Sequence, residues 1–114
     1  MTKAEHDHAL AVAAAVPPRL RRLAFLHDSI EDGWLGTIGG ADLLSDAQWH
    51  ALQLLTRRGE SYEKYIENLQ AAEGYVGEIA RTVKVADLTH NLSRLDASHE
   101  SLRPRYERAL EVLS

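Results

Sequence analysis

Apolar residues in this chain return every three or four positions, the period of a helix, and nowhere alternate long enough to make a strand. The longest such pattern runs through Val76, Ile79, Ala80 and Val83 and continues through Ala86 and Leu92. Turn residues divide the rest. Ala4 to Ala15 is rich in alanine and leucine, and Pro17-Pro18 stops it. The same prolines suit the first turn of a following helix, Pro18 to Asp32. Gly33, Gly36, Gly39 and Gly40 then make a flexible connection. Ser45-Asp46-Ala47-Gln48 reads as a capping box for a helix reaching Thr56, carrying Trp49, Leu52 and Leu55. Gly59 separates it from a helix capped by Ser61, running from Tyr62 to Ala72 and ended by Gly74. A last helix opens at Ser98 or Ser101, with Leu102, Tyr106, Leu110 and Leu113 on one side and Pro104 in its first turn. The pattern predicts an all-α fold, a compact bundle of five or six helices forming one domain over residues 1–114.

Composition narrows the function classes. Thirteen Lys and Arg stand against seventeen Asp and Glu, a formal charge of -4, with no basic tract. A protein that binds nucleic acid through phosphate contacts leans the other way, so no nucleic-acid partner is expected. The absence of cysteine excludes disulfides, iron–sulfur clusters and thiolate zinc sites, and fits a cytoplasmic setting. The longest apolar run, Ala9 to Val16, falls far short of the ~20 residues of a membrane span. It follows Glu5-His6-Asp7-His8 rather than a cationic stretch, which argues against a signal peptide.

Three stretches carry ionisable groups that chemistry could use. In Leu26-His27-Asp28-Ser29-Ile30-Glu31-Asp32, a helix would place Asp28, Glu31 and Asp32 on one face. Three carboxylates near a helix C-terminus repel one another and the dipole, so they are either solvated or neutralised by a cation. In Val83-Lys84-Val85-Ala86-Asp87-Leu88-Thr89-His90-Asn91-Leu92, Asp87 and Asn91 lie one turn apart. An acid in so apolar a segment must be paired, with Lys84 one turn earlier, or ligated. His90 packs or caps. In His6-Asp7-His8, the second histidine leads into the apolar run and is expected nearer the core.

The order His, then His-Asp, then a distant Asp resembles the metal-binding pattern of the HD-domain phosphohydrolases, an all-α superfamily. More narrowly, His27-Asp28-x-x-Glu31-Asp32 followed by Val83-Lys84-x-Ala86-Asp87-x-x-His90-Asn91-Leu92 is similar to the hydrolase domain of RelA/SpoT proteins. The resemblance spans Ala4 to Leu95 and takes in Leu55-Thr56-Arg57-Arg58-x-Glu60-x-Tyr62-x-x-Tyr65-Ile66, as in small stand-alone bacterial members. It implies that His8, His27, Asp28 and Asp87 hold one divalent metal ion, with His6 the alternative to His8. Glu31 and Asp32 would be the catalytic pair that positions and activates water, and Asn91 would hold the substrate near its ribose or phosphate. Lys84, Arg103 and Tyr106 join Asn91 as substrate-binding candidates, since the family's final helix often turns a basic residue and a tyrosine to the pocket. Arg57, Arg58, Arg94 and Arg105 are further groups for an anion. Two departures bear on selectivity for the base: Gly33 stands where a threonine is common, and the stretch from His8 to His27 is short.

Two imidazoles with two carboxylates make a mixed nitrogen and oxygen site, in which Mn²⁺ is favoured over Mg²⁺ and Zn²⁺, Fe²⁺ and Co²⁺ are also accommodated. Such a cation acidifies water and shields phosphate charge, and a nearby carboxylate takes the proton. The expectation is a metal-dependent phosphohydrolase, monomeric or homodimeric, resembling enzymes that remove the 3′-pyrophosphate of guanosine tetra- or pentaphosphate, (p)ppGpp. The alternatives are a hydrolase of another nucleotide such as NADPH, a sensor that binds the nucleotide without turnover, and a helical interaction protein with a solvated acidic face.

Overall fold

The computed structural model describes residues 2–29 and 44–114. Every regular element among them is helical. Helix α1 spans Lys3–Ala14, and a 3₁₀ turn over Pro18–Leu20 leads into the short α2, Arg21–Phe25. Then come α3 (Asp46–Leu55), α4 (Tyr62–Ala71), α5 (Gly74–Ser93), a 3₁₀ segment over Ala97–Leu102, and α6 (Arg103–Leu113). The all-α bundle expected from the apolar period is therefore present. Its radius of gyration of 13.5 Å matches the ~13 Å of a compact domain this long. No helix among the described residues is long and apolar enough to cross a membrane.

The helix starts follow side-chain chemistry. Thr2 caps α1: its hydroxyl accepts the Glu5 amide while the Glu5 carboxylate accepts the Thr2 amide, a full capping box that starts the helix at Lys3, one residue ahead of the expected Ala4. Ser45 caps α3 through the Gln48 amide, but the box stays half made. The Gln48 side chain donates instead to the Arg19 carbonyl, tying α3 to the turn before α2. Ser61 caps α4 as expected. Gly74, the first residue of α5, has φ +69°, a left-handed conformation that glycine adopts without strain.

Helix α5 is the centre of the bundle, packing against α1, α3, α4 and α6. Its Ile79, Ala80, Val83 and Leu88 meet Val12 and Leu23 from the first two helices and Leu52 and Leu69 from the next two in one continuous core. On α1 the buried set is His8, Ala9, Val12 and Ala13, so the apolar stripe carries His8 inward on the same face.

Two expectations are corrected. The second helix does not run from Pro18 to Asp32, because α2 ends at Phe25 and residues 26–29 form a turn. The cause is His27: its amide and its Nδ1 both donate to the Ala24 carbonyl, at 3.2 and 2.6 Å. An α-helix would reserve that carbonyl for the Asp28 amide. Asp28 is thus on a turn and not on a helix face. Glu31, Asp32 and the glycine-rich connection from Gly33 to Gly40 lie outside the described residues.

The α4–α5 junction is tight at Gly77, where a β-carbon would overlap the Ala72 carbonyl and crowd the Arg81 guanidinium. Arg81 is fixed there by donating to the carbonyls of Leu69 and Ala72, which close the end of α4. Gly77→Ala should therefore lower stability by about 1–3 kcal/mol through overpacking, although alanine is the better helix former. Urea denaturation of the two proteins measures the difference.

Candidate metal centre

Asp87 sits in the middle of α5, 3 % exposed. An ionised carboxylate at that depth survives only if both oxygens are occupied. Lys84, one turn earlier on the same helix, donates to Oδ2 at 2.8 Å. Oδ1 is met by His8 Nε2 at 2.7 Å, His27 Nε2 at 3.1 Å and the Asn91 amide nitrogen at 3.3 Å. His8 arrives from α1 and His27 from the turn after α2, so three separate parts of the chain converge on one oxygen.

Asp28 completes the group. Its carboxylate lies 3.1 Å from His27 Nε2. Ligand atoms of His8, His27, Asp28 and Asp87 all fall within 4.8 Å of one another, and this group can hold a metal ion. Three of the four are buried, whereas the Asp28 side chain is 40 % exposed. Of the four, Asp28 is the one that solvent reaches. His6 is exposed and lies edge-on to Phe25, away from this role.

The donor set fits a divalent cation on its own chemistry. His27 Nδ1 carries a proton, since it donates to the Ala24 carbonyl, and this leaves Nε2 as the nitrogen offered to the centre. The other groups are two carboxylates and a second imidazole, the mixture that borderline divalent metals accept.

Charge balance in the cluster is tightly coupled. Burial works against a charged His27, but the hydrogen bonds and charges of Asp28 and Asp87 outweigh it and push its pKa up to about 10. Burial likewise opposes ionisation of Asp87, yet Lys84 and the two histidines hold it well below the usual carboxylate range. Lys84 is raised in turn: burial would lower it, and Asp87 with the Tyr65 and Tyr62 hydroxyls more than compensates. The Lys84 ammonium also lies 5.0 Å over the Tyr65 ring. Tyr65 is anchored by donating its hydroxyl to the Leu55 carbonyl at the end of α3.

The substrate-binding candidates have different positions. Asn91 is in the cluster, donating to Asp87 and accepting two bonds from Arg94 on its oxygen, at 3.0 and 3.2 Å. Lys84 is in it too, with its ammonium directed at Asp87. Arg103 is ion-paired with Glu100 on the surface. Tyr106 is half-buried beside Tyr62, 6.4 Å between ring centres, and Arg105 lies 5.0 Å over that same Tyr62 ring. Burial raises the Tyr62 pKa, and its hydroxyl has no partner among the described residues.

Sequence reasoning left His90 to packing or capping. The structure puts its Nδ1 2.6 Å from His8 Nδ1. Burial, followed by the charges of His8 and Arg94, lowers the His90 pKa. The signal was its place three residues after Asp87, on the same helical side.

No protein-family model, no curated protein and no solved structure matches this chain.

Two outcomes follow from this geometry. The proton on His27 Nε2 must leave before a metal takes that nitrogen, and its pKa is raised. Mn²⁺ affinity should therefore climb with pH from 6 towards 9, by up to about tenfold per unit, with proton release on binding. Calorimetry in buffers of different ionisation enthalpy reads both. Separately, Asp87→Ala should cost the metal-free protein about 3–5 kcal/mol, because it strands the Lys84 ammonium in the core. Lys84→Met in the same chain should recover much of that loss, as a double-mutant denaturation cycle will show.

Proposed function

We propose that this chain is a metal-dependent phosphohydrolase of the HD-domain type, acting on a nucleotide in the manner of the RelA/SpoT (p)ppGpp 3′-pyrophosphohydrolases. The observation that carries the reading is the convergence of His8, His27, Asp28 and Asp87 from three parts of the chain. Those are the four positions that the resemblance assigns to the metal. A solvated acidic helix end would not bury two imidazoles against one carboxylate.

The division of labour follows from the surroundings. His8, His27, Asp28 and Asp87 hold the cation, with Mn²⁺ the proposed ion. Bound there, it supplies Lewis acidity and neutralises phosphate charge. Lys84 keeps Asp87 ionised from the core side. Asn91, oriented by Arg94, offers its amide towards the ribose or phosphate of the substrate. Approach is past Asp28, the reachable member of the cluster, and Glu31 and Asp32 follow it closely in the chain. By the resemblance these two position the attacking water and take its proton. The products would be GDP or GTP and pyrophosphate.

A panel of ppGpp, pppGpp, NADPH and ordinary nucleotides, incubated with Mn²⁺, tests the reading. Release of pyrophosphate from the guanosine substrates is the expected result. Glu31→Gln with Asp32→Asn should keep near-normal Mn²⁺ content while losing ~10²-fold or more in turnover. Tight ppGpp binding with no turnover of anything in the panel would instead make the protein a sensor.

A further inference from the structure

His8 has a second ring nitrogen, on the far side of its ring from Asp87. Its Nδ1 lies 2.6 Å from His90 Nδ1. The two rings are 25° from parallel with centres 4.8 Å apart. That separation equals the nitrogen–nitrogen distance plus one ring radius at each end, so the rings meet nose to nose, nearly in one plane. This is hydrogen-bond geometry rather than face-to-face stacking. At such a distance one proton lies between the nitrogens, because two would clash and none would leave two lone pairs opposed.

Proton counting then assigns the roles. A neutral imidazole carries one N–H. When His8 gives its Nε2 lone pair to a cation, its proton is on Nδ1. His90 Nδ1 must then be the acceptor, and the His90 proton sits on its own Nε2. His27 already shows the equivalent arrangement, with Nδ1 donating to the Ala24 carbonyl. The two ligand imidazoles are thus oriented by different acceptors, a backbone carbonyl for one and a neutral imidazole for the other.

We infer that His90 is a positioning residue for the metal centre: its Nδ1 accepts the His8 Nδ1 proton and so holds the His8 ring with Nε2 directed at the ion. The inference rests on the metal centre proposed above and not on the identity of the substrate. His90 occupies the position one helical turn beyond Asp87, so α5 supplies both a ligand and the group that orients another ligand.

The test uses the full chain and Zn²⁺ as a diamagnetic probe, alongside Mn²⁺. His90→Phe keeps a flat ring and deletes the acceptor, and should weaken both ions by ~10–100-fold. His90→Asn carries an oxygen on Cγ, where histidine carries Nδ1, and should recover most of the affinity. In ¹⁵N spectra of the Zn²⁺-loaded wild type, the His8 proton should be on Nδ1 and couple to His90 Nδ1 across the hydrogen bond. Unchanged affinity in His90→Phe, or His90→Asn as weak as His90→Phe, would overturn the inference. So would a His8 proton on Nε2 in the loaded protein. If His90→Phe does not fold, the wild-type spectrum and His90→Asn still decide. A wild type that binds neither ion defeats the metal centre itself, an outcome distinct from all of these.

Discussion

A carboxylate in the middle of an apolar helix has to be compensated on every side, and Asp87 organises this protein because its partners come from so many directions. Lys84 and Asn91 are supplied locally, one turn before and one turn after it on α5. The two histidines come from α1 and from the turn after α2. Without them Oδ1 would keep only a long bond to Asn91, in surroundings where an unmatched charge costs several kcal/mol. The same contacts therefore hold α1 and the α2 turn against α5 and assemble a donor set suited to a divalent cation. Stability and ligand convergence share one set of atoms.

The site depends equally on a helix that stops. His27 and Asp28 are neighbours in sequence, and on a regular helix their side chains would diverge by ~100°. In the turn at residues 26–29 the Asp28 carboxylate instead comes within 3.1 Å of His27 Nε2. The backbone arrangement that allows this is held by the His27 ring, whose Nδ1 takes the Ala24 carbonyl. One imidazole thus ends α2, sets its own tautomer and presents Nε2 to the centre.

On the core side the positive charge of Lys84 is housed between Asp87 and the face of Tyr65, itself anchored to the end of α3. This gives the cluster a polarity. Lysine and aromatic rings close it from within, whereas the Asp28 side chain is open to solvent. The buried ammonium is directed at Asp87, on the side of the cluster away from solvent. Arg103 is engaged by Glu100 on the surface.

Much of this was legible in the chain itself. Apolar spacing, Ser61 and the Pro17-Pro18 break place most helices, because period and capping are local properties. The inward turn of His8 follows from its place at the head of the apolar stripe of α1. The Lys84–Asp87 pair follows from one helical turn. Three things waited for the tertiary structure. The helix break before Asp28 depends on where the His27 ring points, and the half-made box at Ser45 on the Gln48 side chain finding Arg19. The His8–His90 contact joins residues 82 positions apart. Spacing along a chain specifies which side chains share a helix face, but whether two faces meet depends on how the helices pack, and the cluster of His8, His27, Asp28 and Asp87 exists only where they do.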